Sequence, residues 1–150
     1  MDEFPIDFRT FRRSSTPNQC LALPANLASE ADADLTSPVF RTVPRLLRDA
    51  FEAAVAREPR LEQVAASDDG LQLELIQRSR WLGFRDRITV AFLPLDALRS
   101  APAVWSRAEV GYYDFGVNRK RVGRWLDRLA EAHPGVLERP RRDAGRGRRS

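Results

Sequence analysis

The sequence predicts an α+β domain: a four-stranded antiparallel sheet with two helices packed on one face, in the order α-β-β-β-β-α. Three observations carry this. Apolar residues recur at spacings of three and four around Leu47 and again around Leu126; between those stretches apolar and polar residues alternate; and prolines or glycines mark the changes of period. The 150 residues fit one domain, which can bury roughly 68–70% of its unfolded surface.

Residues 1–39 read as an extended N-terminal segment packed on the domain. Phe4, Ile6, Phe8 and Phe11 are too apolar for a solvated arm, and Pro17, Pro24 and Pro38 argue against a long helix or central strand. Residues 29–38 read as an exposed loop. The α+β core spans 40–134. Its first helix is predicted over 43–57, from the stripe Leu46, Leu47, Ala50, Phe51, Ala54 and Val55. Thr42 is the expected N-cap, Pro44 suits the first turn and Pro59 stops the run.

A meander follows. Residues 61–67 form a strand and Asp68-Asp69-Gly70 turns it. Leu71, Leu73 and Leu75 alternate in the next strand, which ends near Ser79, and Ile88, Val90 and Phe92 in the one after. The last strand is predicted over 103–110, with Val104 and Ser106 on one face and Trp105 and Arg107 on the other. The final helix is expected to start after Asn118 as N-cap, carry Val122, Trp125, Leu126 and Leu129 inward, and stop at Pro134-Gly135. Trp81, Trp105 and Trp125 are expected in core or half-core positions, with Tyr112 and Phe115 packed.

The basic balance belongs to the end of the chain. Residues 138–150 hold six arginines against Glu138 and Asp143, a net +4, and the whole chain is also +4, so residues 1–137 are formally neutral. A neutral body has no long-range field for a phosphate backbone. The 138–150 stretch reads as a disordered Arg-rich tail, able to add weak contact with nucleic acid or an anionic membrane. Cys20 and His133 are single, so neither an intrachain disulfide nor a Cys/His zinc site is expected, and no metal or cofactor is implied. Cys20 reads as a small buried residue and His133 as a helix C-terminal cap. No transmembrane segment is predicted, and the acidic start Met1-Asp2-Glu3 predicts a cytoplasmic protein. A membrane-associated or periplasmic placement is the alternative if the true start lies upstream.

Chemistry concentrates in the run from Gly111 to Arg121. Arg119, Lys120 and Arg121 crowd the first turn of a helix, where each cation opposes the macrodipole at about 0.3–1 kcal/mol. Two compensations are open. Asp86 and Asp114, with Glu109, pair with these cations internally, which is the preferred reading. Otherwise a small anionic ligand binds there, with Arg107, Tyr112, Asn118, Arg119 and Arg121 as candidate binding residues. A general acid/base pair of Asp86 and Asp114 is the enzymatic alternative; catalysis is the less favoured reading.

Ser106-Arg107, the run Val110-Gly111-Tyr112 with Asp114-Phe115-Gly116-Val117-Asn118-Arg119, and Arg121-Val122 together resemble the signature of the domain-of-unknown-function 1499 family. Arg78-Ser79, Gly83-Phe84, Asp86 and Pro17-Asn18 support the resemblance, which runs from about Pro17 to Leu129. It implies a bacterial or plastid family with no established activity, many of whose members look membrane-anchored near the N-terminus. Three departures stand out: Arg87 where the family often has a second Asp, Ala108-Glu109 where Ser-Arg is common, and Tyr113 where Ser is usual. Glu109 reverses a charge and would weaken any anion site borrowed from the family. The chain therefore reads as a non-catalytic binding or structural module.

Overall fold

The computed structural model describes residues 4–139. Between Pro17 and Pro24 the chain forms a five-residue strand, β1 (Gln19–Leu23), and a shorter one follows, β2 (Leu35–Thr36). Then come α1 (Pro44–Val55), β3 (Leu61–Ala66), β4 (Gln72–Arg78), β5 (Arg85–Pro94), β6 (Ser100–Ala108) and α2 (Val117–Ala132). The sheet has six strands in the order β2-β1-β6-β5-β4-β3. β1 and β2 pair in parallel and every other neighbour is antiparallel.

The α+β class and both helices match the sequence reading, but the four-stranded antiparallel sheet does not: it is six-stranded and mixed. The two missed strands lie in the N-terminal segment. Its prolines argued against a central strand; instead Pro17 and Pro24 flank β1, which sits inside the sheet between β2 and β6. Five residues need no more room than that. Residues 29–38, expected as a loop, contain β2. The Asp34 carboxylate accepts hydrogen bonds from the Leu21 N–H and Arg13 at 2.9 Å each, which fixes the return to the sheet.

Both helices pack on one face of the sheet, over Leu73, Leu75, Ile88, Val90 and Val104. Phe51, Phe92 and Trp125 meet edge-on in this layer, with centroids 5.5 and 5.9 Å from Phe51. On the opposite face Phe8, with Ile6 and Phe11 beside it, covers Leu21, Ala91, Ala103 and Trp105. Gln72 secures that cover, exchanging hydrogen bonds with the backbone of Ile6 at 2.6 and 2.8 Å.

Three boundaries moved. α1 starts with Val43 as an uncapped N-cap, not Thr42, because Pro44 at the first position sets the start. β6 begins at Ser100, three residues before the expected start, and stops at Ala108; it admits Pro102 two residues past Val104, the last partner of β1. At the C-terminal end the chain stays tied as far as Glu138, whose N–H donates to the Val39 carbonyl at 2.8 Å and whose carboxylate pairs with Arg99. Most of the expected tail, residues 140–150, lies outside the described residues. Among the described residues no helix is long and apolar enough to cross a membrane.

Candidate functional site

α2 starts two residues earlier than expected. Gly116 is the N-cap, with φ 78°, and Asn118 lies inside the helix. The helix start is covered by Asp114, whose carboxylate accepts from the N–H groups of Gly116 (2.8 Å) and Asn118 (3.0 Å). A built-in carboxylate thus occupies the position an external anion would take at a helix N-terminus.

Freed from capping, Asn118 is fully buried and its amide makes four hydrogen bonds. Its oxygen accepts from the Ser106 hydroxyl and from Arg121 at 2.8 Å; its nitrogen donates to Asp114 at 2.8 Å and to the Asn18 carbonyl at 3.1 Å. That is the full capacity of an amide. Arg121, one turn on, is buried too. Its Nε donates to Gln77 at 2.6 Å, and Nη2 pairs with Asp86 at 2.7 Å. Burial pushes the Asp86 carboxyl above its ordinary pKa, against the opposing pull of Arg121. Gln77 extends the network to Glu58, which also holds Arg124 and Arg128.

The sequence-predicted candidates therefore divide. Asp86, Asp114, Asn118 and Arg121 come together on the helix face of the sheet. Arg107 does not join them. It follows Ser106 by one residue, so it points to the opposite face, where it stacks on Trp105 (3.7 Å to the ring centroid) and donates to Thr89. Arg119 is exposed in the first turn of α2, and Tyr112 is exposed in the β6–α2 loop, ring to ring with Tyr113. Trp105 and Trp125 are buried as expected. Trp81 is 82% exposed, Phe115 90% and Tyr112 60%, so none of the three packs as expected: all fall in loops at the end of the sheet. Cys20 is buried in β1, and burial pushes its thiol up to about 11, far from a reactive thiolate.

Sequence reasoning missed Gln77, Asn18 and Glu74. Gln77 belongs to the alternation Leu73, Leu75, Gln77, which places it on the helix face; its polarity there was the available signal. Glu74 is buried on the opposite face, 3.1 Å from Arg87 and 3.6 Å from Arg107. Arg87 also pairs with Glu109 at 2.9 Å. Arg87 and Glu109, both read from the sequence as departures from the family signature, are thus partners of each other.

Two clefts adjoin the network. One of about 1020 Å³ opens between the N-terminal segment and the start of α2, with Arg12, Arg13, Asp34, Asp114 and Arg119 in its lining. The second, about 580 Å³, lies on the opposite face near Arg87, Trp105 and Arg107. Among the described residues no group of three or more His, Cys, Asp or Glu is placed to hold a metal.

Fold and site together define an α+β domain organised around a buried Asp–Arg–Asn network beside an open, mixed-charge cleft. The family described as Protein of unknown function (DUF1499) matches residues 14–129. The chain belongs to that family, as its signature residues had indicated. No curated protein matches it.

Proposed function

We propose that this chain is a non-catalytic binding module in which the Asp86–Arg121–Asn118–Asp114 network is framework and the cleft beside it takes a small anionic ligand. The observation that carries this reading is the contrast between Arg121 and Arg119. Arg121 is buried and its donors are engaged. Arg119 lines the larger cleft, is exposed, and among the described residues has no carboxylate partner within 4 Å; it reaches only the Asp34 carbonyl at 3.5 Å. An unspent guanidinium at a cleft mouth favours a carboxylate or phosphate ligand. Asp34 and Asp114 in the same wall restrict that ligand to a small anion or one that also carries a donor.

The enzymatic alternative uses Asp86 and Asp114 as acid and base, and the raised pKa of Asp86 favours it. Against it, Asp86 is held by Arg121, and Asp114 by two backbone N–H groups and the Asn118 amide. The Arg-rich end beyond Glu138 adds weak, salt-sensitive contact with nucleic acid or anionic membrane. Titration of the labelled protein with inorganic phosphate and small dicarboxylates, followed by amide chemical shifts, tests the reading. Shifts at Arg119 and Gly116 that vanish in Arg119→Ala, at unchanged melting temperature, are expected. Identical shifts in that variant contradict it.

A further inference from the structure

Apart from Leu46 and Leu98, the large apolar side chains that are more than half exposed gather on two loops at one end of the sheet. Besides Trp81 and Phe115, the residues Leu82, Phe84, Val110, Tyr112 and Tyr113 are all more than half exposed. They belong to the two loops β4–β5 and β6–α2. Pairing places these loops side by side: Arg78 lies opposite Arg85, Asp86 opposite Ala108, and the Glu109 N–H donates to the Arg85 carbonyl at 3.0 Å. Seven large apolar side chains on two adjacent loops exceed the scattered singles normal for a surface.

The fold gains nothing from the outermost of them. Phe115 belongs to neither core cluster, and its backbone is left-handed, with φ 55°. A bulky residue is disfavoured there, whereas Gly or Asn adopts that conformation readily. The ring is held outward at a cost, which points to a contact outside the chain.

The chemistry of the patch selects the occupant. Trp and Tyr have an apolar body and a polar tip, the combination enriched where a bilayer meets water. Cations accompany them. Arg80 lies over the Trp81 ring at 4.7 Å, and Lys120 projects from the first turn of α2. Among the described residues neither has an ion-pair partner. The patch consists of loop tips, and neither cleft includes these side chains. A bilayer demands no shape complementarity, whereas a protein partner requires a matching hollow. We propose that the β4–β5 and β6–α2 loops dock this domain on an anionic lipid surface, inserting Trp81, Leu82 and Phe115 with Arg80 and Lys120 at headgroup level.

Trp81 is the one exposed tryptophan of three, Trp105 and Trp125 being buried, so it reports its own insertion. The full chain is mixed with vesicles of equal parts phosphatidylcholine and phosphatidylserine, and with phosphatidylcholine alone. Expected are a blue shift of tryptophan emission, quenching by acyl-brominated lipid, and about tenfold weaker binding without the anionic lipid. Leu82→Ser with Phe115→Asn, both exposed and the second relieving backbone strain, is expected to lose about tenfold in partitioning with no fall in melting temperature. Trp81→Phe removes the emission shift. Three results overturn the proposal. The chain fails to bind vesicles; it binds with unchanged emission, which assigns attachment to the Arg-rich C-terminal stretch; or the double variant dissolves a self-association while vesicle binding is absent, which makes the patch a protein interface.

Discussion

Arg87 and Glu109 hold each other at the end of the central β5–β6 pair, with the Arg87 Nε and Nη2 at 3.2 and 2.9 Å from the same Glu109 oxygen. The Glu109 charge is therefore matched locally by Arg87. The cation also reaches buried Glu74, and the Arg87 guanidinium is held more basic than usual by these carboxylates, despite burial that acts the other way.

The pair predicts non-additivity. Arg87→Asp sets three carboxylates together and Glu109→Arg sets Arg85, Arg87 and the new arginine together. Each single variant is expected to lose about 1–2 kcal/mol, and the double variant to recover about 1 kcal/mol of the sum. A denaturant double-mutant cycle measures the coupling. A coupling near zero would mean the pair is solvated and the compensation illusory.

Glu58 is predicted to contribute to the acid limb of stability. Burial pushes its carboxyl up, but hydrogen bonds from Arg124 and Gln77 and the nearby Trp125 indole outweigh this and bring it down to about 2. A folded pKa below the unfolded one means stability that is complete above about 4.5 and lost as pH falls toward 2. Asp86 runs the other way: its raised pKa makes the folded state take up that proton more readily. Urea unfolding at about pH 6 and about pH 3 should show a smaller loss in Glu58→Gln than in the parent. An equal loss in both would assign the acid limb elsewhere.

The end of the chain is predicted to be dispensable for folding from residue 140 onward. Glu138 is tied to Val39 and Arg99, so a cut after Arg139 keeps both ties. The melting temperature should stay unchanged and retention on heparin at low salt should fall sharply. Earlier melting of the shortened chain would show that the terminal residues pack.

Much of this was legible from the residues alone, and the misses have physical causes. Strong periodicity located α1, α2 and the β4–β5 alternation. β1 was missed because five residues between two prolines carry too few periods to be told from coil, and its pairing with β6 is a contact between residues far apart in sequence. Asp86, Asp114, Asn118 and Arg121 were selected because cations at a helix start demand compensation. Their partners Gln77 and Asn18 were not, since a single amide in a strand or loop gives no local sign that it is buried. Arg107 was grouped with Arg121 although its own alternation with Ser106 placed it on the other face. The exposed positions of Trp81 and Phe115 had no signal: aromatic residues are ordinarily buried.

Unfolding of Arg121→Ala tests the framework assignment most directly. Arg121 holds Asp86, Gln77, Ser106 and Asn118, so its removal leaves a buried carboxylate and several unsatisfied oxygens. The framework account predicts a loss of about 3–5 kcal/mol in denaturant unfolding, with Asp86→Asn recovering part of it by removing the stranded charge. A variant of unchanged stability that no longer binds a small anion would contradict the account and make Arg121 itself the site.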